Sequence, residues 1–313
     1  MSQESKSQLK LYLRLRPFTP FERNYSKEEQ KGIIIIDSEN EINIESTRKF
    51  VFDKIFKEET PEQEIFLHST ANIINNAFNG NTCSIICYGS CCTGKSTTLE
   101  QIISNTMKEI FKSDISKYTL TISFMEYYLN EWTDLLNKKT NLSINNDTIK
   151  DLTMLNIESL KKFKELYSIG EKNRVDLHQK STKYMMTRVF YSHSILILNI
   201  FKDNTLFGKI FFIDLGGSSG PISKNISPTD IHLKEITSLN NSINNFEQAI
   251  KSLSKKQKCT FRQDKFLRVI KQCFNNDCYL SFIIHCANLK MYKRDIMQTL
   301  QICTCIKNNN FHI

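Results

Sequence analysis

Hydrophobic and polar residues alternate along this chain with two different periods. Strand-like runs occupy residues 9–15, 32–36, 41–44, 84–88, 118–128, 195–201, 208–214 and 279–286. Apolar positions three and four apart predict helices over 61–78, 97–111, 159–172, 231–252, 264–274 and 294–307. Strands alternating with helices predict an α/β domain, its largely parallel or mixed sheet covered on both faces. In such sheets ligands bind at the carboxyl edge of the strands. No Pro- or Gly-rich linker and no internal repeat divides the chain, so one domain is expected.

One junction in this pattern carries chemistry. The apolar run Ser84-Ile85-Ile86-Cys87-Tyr88 leads into Gly89-Ser90-Cys91-Cys92-Thr93-Gly94-Lys95-Ser96, and a helix follows from Thr97. A strand, a glycine-bounded loop and a Lys-Ser pair opening a helix form the context of a phosphate-binding loop. Its backbone N–H groups wrap a polyphosphate, aided by the positive end of the helix. Lys95 is expected to reach the β/γ-phosphates and Ser96 to ligate Mg²⁺. Downstream, Phe211-Phe212-Ile213-Asp214-Leu215-Gly216-Gly217 is an apolar strand ending in D-x-x-G. In P-loop NTPases that Asp holds Mg²⁺ and that Gly senses the γ-phosphate.

Composition narrows the partners less than the motif does. A formal charge of +9 suits an acidic partner, whether nucleic acid, an anionic membrane or an acidic protein polymer. No stretch approaches the roughly 18 apolar residues of a membrane span. Residues 1–10 lack the apolar core of a signal peptide, so the cytoplasm is the expected compartment. The 10 cysteines include no C-x-x-C pair, which argues against a zinc site. Most sit in apolar runs, where Cys behaves as a small core residue. Cys91 and Cys92 differ: a thiol beside Lys95 at a helix N-terminus should have a lowered pKa.

With these residues in view, the chain resembles the kinesin motor domain. Arg14-Leu15-Arg16-Pro17-Phe18 is similar to the family's R-x-R-P segment. Phe50-Val51-Phe52-Asp53-Lys54-Ile55-Phe56 resembles F-x-F-D-x-V-F, and Cys87-Tyr88-Gly89 with Gly94-Lys95-Ser96 resembles the family's P-loop. The segment Glu126-Tyr127-Tyr128-Leu129-Asn130-Glu131 continues through Trp132-Thr133-Asp134-Leu135-Leu136 along E-I-Y-N-E-x-x-x-D-L-L. Leu239-Asn240-Asn241-Ser242-Ile243 resembles I-N-x-S-L of the relay helix. Phe261-Arg262-Gln263-Asp264-Lys265-Phe266-Leu267-Arg268 resembles Y-R-D-S-K-L-T-R, and Asp295-Ile296-Met297-Gln298-Thr299-Leu300 resembles E-T-L-x-T-L. The blocks occur in family order and span residues 9–308.

The resemblance implies a P-loop NTPase with a kinesin-type central mixed β-sheet flanked by helices on both faces. It implies ATP and Mg²⁺ as ligands, held by Tyr88, Gly89, Ser90, Cys91, Cys92, Thr93, Gly94, Lys95, Ser96 and Thr97. Arg14, Arg16 and Pro17 would lie against adenine. Ser96 and Asp214 would hold the metal. Ser192, His193, Asp214 and Gly217 would form the catalytic switches, and the helix over 231–252 would relay their state.

Departures fall on those switches. Where kinesins carry S-S-R-S-H, the gapless reading here is Val189-Phe190-Tyr191-Ser192-His193, so Tyr191 takes the place of the Arg. Where they carry D-L-A-G-S-E, this chain has Asp214-Leu215-Gly216-Gly217-Ser218-Ser219, so Ser219 takes the place of the Glu. In the family that Arg and Glu pair to close the switches. Losing one partner would strand a buried charge at roughly 3–5 kcal/mol, whereas losing both avoids that cost. Two readings follow: a microtubule motor that hydrolyses ATP, or a microtubule-binding module that binds nucleotide and turns it over slowly or not at all. Cys92 also stands where the family has Gly, a position that often needs φ > 0.

The track side rests on charge. Arg262, Lys265 and Arg268 recur every three residues, with Lys255, Lys256 and Lys258 just before them. By resemblance these basic residues meet the acidic surface of tubulin. Microtubules are therefore the expected partner, with no membrane and no nucleic acid, and the cytoskeleton, including the spindle, the expected place. The chain is expected to divide into a short polar extension (1–8), a motor domain (9–308) and a vestigial neck-linker tail (309–313). No heptad run offers a coiled coil, so walking would need a second kinesin or stalk-bearing subunit.

Overall fold

A computed structural model describes residues 8–45, 48–179, 191–217, 231–255, 257, 261, 264–275 and 277–307. The calls on the terminal tails, Phe190, Ser219, Lys256, Lys258 and Arg262 lie outside the described residues. The strands are β1 (Leu9–Leu15), β2 (Ile34–Ile36), β3 (Glu41–Ile44), β4 (Arg48–Val51), β5 (Lys54–Phe56), β6 (Thr82–Gly89), β7 (Thr119–Tyr128), β8 (Glu131–Asp134), β9 (Ile144–Asn145), β10 (Thr148–Ile149), β11 (Leu155–Asn156), β12 (His193–Lys202), β13 (Thr205–Asp214) and β14 (Cys278–Cys286). The helices are α1 (Glu62–Phe78), α2 (Lys95–Ile110), α3 (Leu160–Gln179), α4 (Ile231–Ser254), α5 (Lys265–Ile270) and α6 (Lys293–Lys307).

The main sheet runs β11-β7-β12-β13-β6-β14-β1-β5, with β8 paired to β7. From β13 to β5 every pair is parallel, and β12 and β7 continue the sheet antiparallel. The expected mixed sheet is therefore present. Side chains of β6 alternate between its two faces. Ile86 and Tyr88 enter a core shared with Phe246 of α4, Phe266 of α5 and Leu300 of α6. Cys83, Ile85 and Cys87 enter the opposite core with Ile73 of α1, Leu99 of α2 and Phe163 of α3. Helices thus cover both faces, three on each.

Four departures from the sequence reading have physical causes. The 50–56 block, matched by resemblance, divides into β4 and β5, because the Asp53 carboxylate accepts the Leu11 backbone N–H at 2.8 Å and turns the chain toward β1. α3 runs past residue 172, because Asn173 and Arg174 are themselves buried, so polar residues continue the inward face. β13 starts at Thr205, three residues early, because Asp203 and Asn204 take φ of 50° and 59° and close a two-residue hairpin with β12. The 264–274 helix splits into α5 and a 3-10 turn over Lys271–Phe274, the tightening common at helix ends, before the chain enters β14.

Candidate functional site

The parallel strands bring their carboxyl ends to one edge, where Asp214 of β13 pairs with Cys87 of β6 and Gly89 of β6 pairs with His285 of β14. β12 runs the other way, so its first residues, His193 and Ser194, arrive at the same edge; Ser194 pairs with Asp214. Segments far apart in sequence therefore meet around the loop between β6 and α2.

That loop has the geometry its glycines predict. Gly94 takes φ 88° as the N-cap of α2, and Lys95 begins the helix. The Lys95 ammonium is buried and donates to the Ser90 carbonyl at 2.7 Å. Burial lowers its pKa, opposed by the charge of Asp214. Thr93 Oγ1 donates to the same carbonyl at 2.8 Å. Ser96 Oγ donates to Asp214 Oδ2 at 2.6 Å and joins loop to strand. Asp214 is 6% exposed, and its Oδ1 is buried with no hydrogen-bond partner. A Cβ at Gly217 would lie 2.8 Å from Lys95 Nζ and 2.5 Å from Cys91 Cα, so only glycine lets this strand end close on the loop. A buried ammonium, an orphaned carboxylate oxygen and a hydroxyl at a helix N-terminus fit a magnesium-bound polyphosphate.

Most other expected ligands bond to the protein itself. The Tyr88 hydroxyl donates to Glu247 of α4 at 2.6 Å, Ser90 Oγ lies 3.2 Å from Thr299 of α6, and Thr97 is exposed on the first turn of α2. Arg14 donates to the carbonyls of Lys57 and Glu58. Arg16 forms a two-pronged pair with buried Glu22 and donates through Nε to the Cys92 carbonyl at 2.8 Å. That pairing holds the Glu22 carboxyl down at about 2, against the opposing effect of its burial. Pro17 lines an open cavity of about 390 Å³ with Arg16, Phe18, Glu58, Glu59, Asn288 and Leu289, beside the loop.

The two thiols diverge from their common expectation. Cys92 is lowered to about 6, chiefly by the hydrogen bond it shares with Cys91 and also by the charges of Lys95 and Arg16. Cys91 is raised, because it is the sulfur that keeps the proton and because it is more buried. Cys92 also takes φ 60°, the left-handed conformation expected at a position where the resembled family pattern has Gly.

At the neighbouring edge the buried polar groups bond one another. Arg174 Nε donates to Glu126 Oε1 at 2.9 Å, Arg174 Nη2 to Ser192 Oγ at 3.0 Å, and Ser192 Oγ to Glu126 Oε1 at 2.6 Å. All three residues are at most 3% exposed. The Gly216 N–H donates to His193 Nδ1 at 2.9 Å, so His193 carries its proton on Nε2 and donates it to Ser242 of α4 at 3.0 Å. Its ring stacks on Phe266 of α5. The roles of Asn173 and Arg174 escape sequence reading, since two polar residues after an amphipathic stretch read as a helix end.

On the far face, Lys255 and Lys265 are exposed. Arg268 and Lys271 both reach Asp147 in the β9–β10 turn, at 3.4 and 3.7 Å. Among the described residues no helix is long and apolar enough to cross a membrane, and no His/Cys/Asp/Glu group could hold a metal unaided.

A family model described as the kinesin motor domain matches residues 14–308. The chain is 25% identical to the kinesin heavy chain of Strongylocentrotus purpuratus, over 98% of this chain and 32% of that protein. It is 24% identical to kinesin-like protein 3 of Schizosaccharomyces pombe, over 94% of this chain and 57% of that one. The chain thus spans about a third of the heavy chain it matches. The solved structure of a fast kinesin superposes with a TM-score of 0.83 at 22% identity, covering 96% of this chain and 91% of that one.

Proposed function

This chain belongs to the kinesin motor domain family, and from that premise we propose that it binds ATP with Mg²⁺, engages microtubules and couples nucleotide turnover to movement on the cytoskeleton. One observation carries the reading. Ser96 and Asp214 meet at 2.6 Å at the mouth of the loop while Asp214 Oδ1 stays buried and unpartnered. A buried carboxylate oxygen without a donor is costly unless something else occupies it. Ser96 and Asp214 would hold the metal, which supplies neutralising charge at the phosphates when bound. Lys95 would exchange the Ser90 carbonyl for a phosphate oxygen, and the Gly217 N–H would face the terminal phosphate. His193 ties the strand after Asp214 to Ser242 of α4, and Lys255 directly follows that helix. A shift of the Gly216 backbone would therefore be felt by the helix leading to the basic face.

The test is ATP turnover with and without microtubules. Turnover raised manyfold by microtubules is the expected result. Absent turnover, with nucleotide-independent co-sedimentation, rejects the coupling.

A second reading, slow or absent hydrolysis, is favoured by Tyr191. This half-buried phenol, raised in pKa by burial and by the neighbouring Cys91 and Glu235, occupies the place of the latch arginine at the start of β12. Under this reading Tyr191→Arg and Ser219→Glu together raise turnover by more than the product of the single effects. Purely multiplicative effects would reject the latch explanation.

A further inference from the structure

Two adjacent cysteines within a phosphate-binding loop have no evident part in holding phosphate, since the loop works through backbone N–H groups and Lys95. Their sulfurs lie 3.5 Å apart, and Cys92 is exposed to solvent. We propose that Cys91 and Cys92 form an oxidant-closable dithiol: a small-molecule disulfide of the glutathione class converts the pair to a vicinal disulfide, and the closed ring weakens polyphosphate binding. The proposal rests on the reading of this loop as a polyphosphate site.

Three observations carry it. First, the pair is set apart from the six thiols of the core. Cys83, Cys87, Cys273, Cys278, Cys286 and Cys303 are buried, and burial pushes their thiols up. Second, the division of labour within the pair suits exchange. Cys92 is the exposed sulfur and is lowered to about 6, so it is largely thiolate at neutral pH, and Cys91 keeps its proton beside it. Third, the loop cannot absorb closure without moving. Adjacent Cα atoms are about 3.8 Å apart across a trans peptide, inside the 4.4 Å lower end of ordinary disulfides, so the backbone between them must rotate. That backbone is pinned on both sides. The Cys92 carbonyl receives Arg16 Nε at 2.8 Å, and Cys91 N and Cα lie 2.5 Å from where a Cβ on Gly217 would be.

The chemistry balances in two exchanges. The Cys92 thiolate attacks one sulfur of the small disulfide and breaks its S–S bond. A mixed disulfide forms, and one thiolate leaves, taking from solvent the proton that Cys92 had released. Cys91 Sγ then attacks Cys92 Sγ; its proton passes to the second leaving thiolate. Two protein thiols are oxidised by two electrons, and one small disulfide is reduced to two thiols. A strained disulfide has an oxidising potential, so reduction by a dithiol reverses the reaction readily.

The experiment uses the full chain, fully reduced and then equilibrated with glutathione disulfide. Peptide mass mapping locates the bond, and titration with a fluorescent ADP analogue reads affinity. The expected result is a two-hydrogen loss within the peptide carrying Cys91 and Cys92. The analogue should bind about tenfold or more weakly, as for a lost hydrogen bond to a charged group, and dithiothreitol should restore it. In C92S the oxidant leaves affinity at that variant's own reduced value, and in C91S the exchange stops at a glutathione adduct on Cys92 with no two-hydrogen loss. Oxidation elsewhere with this pair still reduced overturns the proposal, as does a mapped vicinal disulfide with unchanged affinity. Failure of the reduced chain to bind the analogue overturns the polyphosphate reading itself and this gate with it.

Discussion

Two neighbouring corners of this sheet edge handle buried charge in opposite ways. In the phosphate-loop corner, Asp214 leaves an oxygen buried and unpartnered, and Lys95 is buried against a single backbone carbonyl. In the switch corner, Arg174, Glu126 and Ser192 bond one another in a triangle, and His193 spends both nitrogens on Gly216 and Ser242. Buried polar groups are normally satisfied, so incomplete satisfaction points to a missing ligand and complete satisfaction to structure. The phosphate corner holds its groups ready for something else. The switch corner holds its groups for itself.

The comparison breaks most visibly through Glu126→Gln. This change removes the carboxylate that faces the buried Arg174 guanidinium. Breaking a buried pair from one side costs roughly 3–5 kcal/mol, read as a lower urea midpoint. A loss below about 1 kcal/mol would mean the triangle is dispensable and the contrast false. Lys95→Met should do the reverse. Nucleotide affinity falls by about a hundredfold, as for a lost charged hydrogen bond, while stability holds or rises because a desolvated ammonium is gone. Equal loss of stability in both variants would show that the two corners are one network.

A pH titration sharpens the same contrast. Burial and the charges of Arg174 and Lys95 hold His193 at about 3, far below its ordinary 6.5. Between those values the unfolded chain binds a proton that the folded chain excludes. The contribution of His193 is therefore full above 6.5 and is lost as pH falls toward 3, by about 2 kcal/mol from pH 7 to pH 5. His285, buried and likewise lowered, adds a loss of the same sign, so in urea midpoints across that range His193→Gln should reduce the slope by its own share.

The phosphate corner was legible because its signal is local: eight consecutive residues specify strand end, loop and helix start, and Gly94 and Lys95 stand as expected. The mixed sheet followed from periodicity for the same reason. The triangle was not legible, since Arg174 follows an amphipathic stretch and only the pairing of β7 with β12 sets Glu126 beside the start of β12. Spacing also could not separate Cys91 from Cys92, because which sulfur donates depends on side-chain direction. Nor did a basic spacing of three reveal that Arg268 would be held by Asp147, 121 residues away in sequence.

The smallest effect tests whether the phosphate corner also stores backbone strain, which clusters at functional sites. Cys92 sits at φ 60°, where an L-residue with a Cβ loses about 1–2 kcal/mol relative to the right-handed conformation. Glycine removes that cost but adds roughly 0.5–1 kcal/mol of unfolded-chain entropy. The strain term is the larger, so Cys92→Gly should stabilise the fold by about 0.5–1 kcal/mol, read again as a urea midpoint. Destabilisation instead would mean that the contact with Cys91 and the fixed Cys92 carbonyl outweigh the strain. The loop would then be held by its own side chains, as the switch corner is, and the distinction between the two corners would narrow to the single open oxygen of Asp214.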